Sequence, residues 1–258
     1  MLPVDVVPVQ DFGAKAADHL ASVLRRKAEA VIGFPTGNTP LPLYQELLSR
    51  QAKGQIALGQ MRAVMLDDYL GARPDQEISF RNWLDRHLFV PAGLDPRRIL
   101  PIPTQPQNIA ADCRDYENRL SAWGGCDLLF LGLGLNGHVG FNEPGADPDS
   151  ITHVTPLSQI SRQVNAAYWK HGSLSADLVP EYGVTMGLGT ILRAREIILL
   201  VRGAEKAGIL ARTLQGEITP AIPASLLRRH ARARVLCDVA AAGELKPSPP
   251  QRAQEVEL

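Results

Sequence analysis

Short apolar and β-branched runs alternate along the chain with longer segments whose apolar positions recur every three or four residues. The runs Val4–Val9, Ala30–Phe34, Ala63–Leu66, Asp127–Leu133, Glu196–Val201 and Val235–Cys237 predict strands. Most are continuously apolar rather than alternating, the pattern of parallel strands covered on both faces. Between them, Asp11–Glu29, Pro40–Ser49, Ser79–Phe89, Ile109–Trp123 and Glu205–Leu214 predict helices. Thr39 followed by Pro40 reads as an N-cap with proline at the first helical position. Strands alternating with helices of this length predict a doubly wound α/β fold: a mostly parallel sheet with helices on both faces, Rossmann-like in type.

The 258 residues fit one domain of this class, drawn at 1–243. A polar, proline-rich tail at 244–258 follows and is expected to be disordered. Lysine plus arginine balance aspartate plus glutamate at 27 each, so net charge gives no case for nucleic acid or an anionic membrane as partner. Three cysteines, Cys113, Cys126 and Cys237, form no CxxC pair and support neither a disulfide framework nor a thiolate metal site. The longest apolar runs fall far short of the roughly 20 residues that span a bilayer. The opening MLPVDVVPVQ has neither a basic region nor a continuous apolar stretch, so the expected location is the cytoplasm.

In an open α/β sheet, ligands bind beyond the carboxyl ends of the strands. After the second strand comes Pro35-Thr36-Gly37-Asn38-Thr39-Pro40, leading into a helix. Its glycine, hydroxyls and helix-start N–H groups suit a phosphate, although an ordinary capped turn reads the same way; a Walker A lysine is missing. Asp67 and Asp68 follow the third strand, and adjacent side chains alternate in direction. One is therefore the candidate base and the other a structural or turn-capping group. Gly132-Leu133-Gly134-Leu135-Asn136-Gly137 formally matches GxGxxG, but Gly140, Pro144 and Gly145 interrupt the helix a dinucleotide site needs. No nucleotide cofactor is expected. His138 with Glu143 on the same loop suits acid–base chemistry near neutral pH, the carboxylate orienting the imidazole. A metal site is the alternative, but no HxH or HExxH spacing supports it, so no metal is expected. Lys206 stands in the first turn of a helix, against the local dipole, which hints at an anion there.

Taken together, these loops resemble the glucosamine-6-phosphate deaminase/isomerase family. Residues 33–40 (GFPTGNTP), 66–71 (LDDYLG), 131–145 (LGLGLNGHVGFNEPG) and 217–227 (EITPAIPASLL) stand in family order. The resemblance implies conversion of glucosamine 6-phosphate to fructose 6-phosphate and ammonium without cofactor or metal, classed among hydrolases, deaminases and isomerases of amino sugar metabolism. It implies that Asp67 moves a proton between C2 and C1 through an enolamine. His138 would assist ring opening, with Glu143 and Asn136 beside it. Thr36, Gly37, Asn38, Thr39 and Lys206 would hold the phosphate, with Asp68 and Gly137 also against the substrate, a small hexosamine phosphate. Members range from monomers to hexamers, so a homo-oligomer is allowed.

Two positions depart from the family pattern. Asn136 stands where some members carry a carboxylate, and it hydrogen-bonds without taking up a proton. Ala167 stands where an arginine typically meets the phosphate; Arg162 and Arg202 are the candidates to replace it. The rival readings are a galactosamine-6-phosphate deaminase, a 6-phosphogluconolactonase on the same fold, and a catalytically silent sugar-phosphate sensor. The ValGlyPheAsnGluPro run after His138 favours the deaminase over the lactonase, and the presence of both Asp67 and His138 argues against the sensor.

Overall fold

The computed structural model describes residues 2–168 and 179–246, the side chains of Pro106, Ala167 and Tyr168 excepted. The tail from residue 247 onward lies outside the described residues. Seven strands form a fully parallel sheet: β1 (Val4–Val7), β2 (Val31–Phe34), β3 (Arg62–Met65), β5 (Ile99–Leu100), β6 (Leu128–Gly132), β9 (Ile197–Val201) and β10 (Ala233–Asp238). Their spatial order is β1-β10-β9-β6-β2-β3-β5. The helices are α1 (Phe12–Arg26), α2 (Leu41–Ala52), α3 (Phe80–Leu84), α4 (Ile109–Ala122), α5 (Gln159–Tyr168), α6 (Leu188–Leu192) and α7 (Ala207–Gln215). Every residue of β2 and β9 is buried, which is why these strands read as unbroken apolar runs.

The chain builds outward from β2 through β3 to β5, then returns to place β6 on the other side of β2. That reversal opens a crevice at the carboxyl ends of β2 and β6. A smaller antiparallel sheet was not expected. It runs β4 (Asp67–Tyr69), β8 (Tyr182–Thr185) and β7 (His153–Pro156), and it pairs Asp67 with Thr185. Its strands carry Asp, His, Thr and Pro, so no apolar pattern announced them.

Several boundaries differ from expectation for local reasons. The first strand stops at Val7 because Pro8 has no N–H to give the ladder. Thr39 is not the cap of α2: the helix starts at Leu41, Pro40 holds the cap position, and no side chain caps it. The helix expected over Ser79–Phe89 is α3 followed by a wider π turn over Asp85–Phe89. Lys206 closes a 3-10 turn, Ala204–Lys206, just before α7 rather than lying within the helix.

Gly13 on α1 is a contact point between α1 and α2. A Cβ built there would lie 2.4 Å from the Pro42 carbonyl oxygen, a backbone atom that cannot rotate away. Because α2 begins directly after residues 35–40, this close approach also fixes that loop. Gly13→Ala gains about 1 kcal/mol in helix propensity but forces the helices apart, at a cost toward the upper end of about 1–3 kcal/mol because the atom met is backbone. The urea midpoint of the variant is expected to fall; a rise would mean that the helix contact does not limit packing.

Candidate active site

A cavity of about 390 Å³ occupies the crevice and is lined by the loops after β2, β3 and β6, by one side of α5 and by the turn before α7. Thr36, Gly37, Asn38 and Thr39 all line it, as do Asp67, His138 and Lys206. Gly37 takes a φ of 102°, which lets the loop fold back on itself. The Tyr44 hydroxyl donates to the Pro35 carbonyl and ties the loop to α2.

The two adjacent aspartates have separate duties. Asp68 accepts from the Tyr69 N–H at 2.8 Å, the Phe80 N–H at 2.9 Å, the Arg81 N–H at 3.1 Å and the Ser79 hydroxyl at 2.8 Å. It therefore caps the start of α3 and does not line the cavity, so its expected contact with substrate is corrected. Asp67 faces the cavity and no donor among the described residues stabilises its charge. Burial, and then the Asp68 carboxylate next to it, push the Asp67 carboxyl up to about 8. Gly140 keeps the space beside it open: a Cβ there would lie 2.9 Å from Thr185 Oγ1 and 3.6 Å from Asp67 Oδ2.

His138 packs flat against the chain at Gly134, where a Cβ would stand 2.3 Å from the ring. This is the physical need for that glycine in the 132–137 run. His138 Nδ1 lies 3.2 Å from Ser161 Oγ and 3.8 Å from Glu143 Oε2. Glu143 accepts from Asn136 Nδ2 at 2.7 Å and from the Ser158 N–H at 3.2 Å. Burial lowers the His138 pKa, Glu143 pulls it back up and Lys206 lowers it further; the net direction is down, so the ring is neutral near pH 7. Asn136 and Gly137 do not line the cavity. Asn136 supports Glu143 and, through Oδ1, accepts the His138 N–H at 3.2 Å, while Gly137, at φ 87°, packs against Ile222.

Lys206 Nζ donates to the Leu133 carbonyl at 2.8 Å, which holds the cation at the wall of the cavity that the β2 loop also lines. Burial lowers its pKa, partly offset by Glu205. The turn carrying Lys206 is anchored by Asp238 at the end of β10, which accepts the Gly203 N–H at 3.1 Å. Neither expected substitute for the arginine reaches the cavity lining. Arg162 Nε donates to the Val179 carbonyl at 3.2 Å, and the Arg202 guanidinium lies over the Phe12 ring at 5.4 Å. The side chain of Ala167 lies outside the described residues. Sequence reasoning missed Ser158, Ser161, Asn165 and Glu205; a serine three residues before another at a helix start was the available signal for the first two. Among the described residues, no three His, Cys, Asp or Glu side chains cluster as a metal site requires, and no helix is long and apolar enough to cross a membrane.

Residues 7–236 match the family model described as glucosamine-6-phosphate isomerases/6-phosphogluconolactonase. The chain belongs to this family. It is 39% identical to a glucosamine-6-phosphate deaminase of Bacillus pumilus, over 89% of this chain and 93% of the relative. It is 36% identical to that of Streptomyces coelicolor, over 95% and 93%. A solved monomeric glucosamine-6-phosphate deaminase superposes with TM-score 0.90 at 34% identity, covering 94% of this chain and all of the other. The 6-phosphogluconolactonase of Trypanosoma brucei, at 20% identity and TM-score 0.75 over 95% and 99% of the chains, shares the fold. The expected label of hydrolase does not hold for this family member: its relatives are named deaminases, whose chemistry is of the lyase and isomerase type.

The raised Asp67 pKa has a stability consequence whose sign is fixed. Below the unfolded pKa of about 3.8 both states hold the proton, and above about 8 both have lost it. Between them only the unfolded chain releases it, so stability falls as pH rises, by about 4 kcal/mol between pH 4 and pH 7. Asp67→Asn removes this loss. Its urea midpoint is expected to exceed that of the parent at pH 7 and to converge with it near pH 4; equal midpoints at pH 7 would mean that the carboxyl is not held protonated.

Proposed function

We propose that the chain converts glucosamine 6-phosphate to fructose 6-phosphate and ammonium. The observation that carries this reading is one buried carboxyl, Asp67, without a counter-ion among the described residues, sharing a cavity with a neutral histidine, a lysine and the 36–39 loop. Thr36, Gly37, Asn38, Thr39 and Lys206 hold the phosphate, and this remote binding energy positions the reacting carbons. His138 assists ring opening, in which the proton of O1 leaves and O5 gains one as the C1–O5 bond breaks. Asp67, ionised, takes the proton from C2 to give the enolamine and returns it to C1. Water then replaces nitrogen at C2 and ammonium departs. Glu143 and Asn136 support His138 rather than touching the sugar.

The names and overlap of the relatives support this reading over the lactonase, whose likeness is one of fold. A charged sugar phosphate does not cross a bilayer unaided, which supports a cytoplasmic location for this activity. A monomeric relative supports activity without an oligomer.

The test is ammonium release from glucosamine 6-phosphate, with galactosamine 6-phosphate and 6-phosphogluconolactone in parallel. Release from the gluco epimer is expected. Ammonium from the galacto epimer alone would reassign the substrate, and lactone hydrolysis without ammonium would refute the deaminase. Asp67→Asn is expected to abolish turnover while leaving sugar-phosphate binding intact. Since the base works ionised, kcat/KM is expected to rise with pH through an apparent pKa near 8. A flat profile between pH 6 and pH 9 would remove Asp67 from that role.

A further inference from the structure

The hydrogen bonds behind His138 form a chain whose direction starts at the Asn136 amide. Asn136 presents Oδ1 to the His138 N–H and Nδ2 to the Glu143 carboxylate, at 3.2 and 2.7 Å, so its two ends cannot be exchanged. The same Nδ2 donates to Ser158 Oγ at 3.4 Å, and the Ser161 N–H donates to that oxygen at 3.1 Å, the second being the cap of α5. Both lone pairs of Ser158 Oγ are then taken, and its own proton points to Ser161 Oγ at 3.0 Å. Ser161 Oγ lies 3.2 Å from His138 Nδ1 and, with one lone pair taken by Ser158, has its proton available to that nitrogen.

From this we infer that Ser161, oriented through Ser158 by the Asn136 amide, is a positioning residue that holds His138 as the tautomer with its proton on Nε2. Nδ1 accepts, and the ring meets the cavity as a hydrogen-bond donor. Glu143, 3.8 Å from Nδ1, is the partner of the doubly protonated ring rather than the neutral one. The direction depends on an amide at position 136. A carboxyl there, against that of Glu143, would share a proton with it and offer Ser158 no fixed donor, so Ser158 would turn its hydroxyl toward it and Ser161 would lose the donor that directs it. The departure at Asn136 and the two serines on α5 are thus one matched set. Ser161 also lies on the cavity wall, so the side of α5 facing the substrate and the ring that acts on it are joined through one hydroxyl. The consequence for turnover rests on the deaminase reading; the tautomer does not.

The decisive measurement is the nitrogen spectrum of full-length protein labelled with 15N in histidine, without substrate, near pH 8. His138, assigned by its disappearance in His138→Gln, is expected to show a protonated Nε2 and a bare Nδ1. Asn136→Asp is expected to move the proton to Nδ1, and Ser161→Ala to give a mixture that Ser161→Thr restores. A wild-type ring protonated at Nδ1, or one unchanged in both Asn136→Asp and Ser161→Ala, would overturn the inference even if ammonium is released. In the assay, Ser161→Ala is expected to lower kcat about tenfold on the closed-ring sugar with KM little changed, and Ser161→Thr to recover it. If ammonium release fails while the spectra behave as stated, the deaminase reading falls and the tautomer assignment stands.

Discussion

The reversal of strand order between β2 and β6 is the constraint on which the rest depends. Loops that leave adjacent parallel strands in opposite directions cannot cover each other, and they leave a crevice that the chain must line with something. Here the lining combines the loops after β2, β3 and β6 and the turn before α7, far apart in sequence. Three of them are held by an element of their own: α2 against α1 through Gly13, the small sheet through the Asp67–Thr185 pair, and the turn before α7 through Asp238. Separate packing contacts thus converge on the site, and its own residues add hydrogen bonds to one another.

The Asp67–Asp68 pair shows how local geometry assigns chemistry. In extended backbone the two carboxyls must face opposite ways, so one meets the N-terminus of α3 and the other the cavity. Asp68 gathers four donors and serves to anchor the loop. Asp67, with no such donor among the described residues, has its carboxyl pushed up by burial and by its neighbour's charge. A group poised in this way ionises when a cation arrives next to it, and an amino sugar brings one.

How much of this was legible follows from what each segment buries. The parallel strands were readable because sheets covered on both faces demand unbroken apolar runs, as in Leu128–Leu131 and Ile197–Val201. The loops after them were readable as the place for chemistry because strand ends are where α/β sheets bind. The small antiparallel sheet was not, since its strands serve as brackets for the site and carry polar residues such as Asp67 and His153. Arg162 and Arg202 were plausible phosphate ligands only while their partners were unknown: a backbone carbonyl and an aromatic ring claim them instead. The cap of α2 went astray by one residue because a proline following a threonine carries the same signal whether it opens the helix or precedes it.

The serines on α5 were hidden for a different reason. Ser158 caps α5; its second function exists only because α5 lies against the loop after β6. A hydroxyl is both donor and acceptor, so its direction is set by its neighbours, and a row of hydroxyls transmits whatever direction its first member is given. Asn136 differs from aspartate by one NH2 group in place of an oxygen, a change that barely alters shape. In this arrangement it reverses the donor at the start of the row and with it the nitrogen on which His138 carries its proton. A substitution that looks tolerated at the level of size thus selects, through two bystander serines, which face the imidazole shows to the sugar.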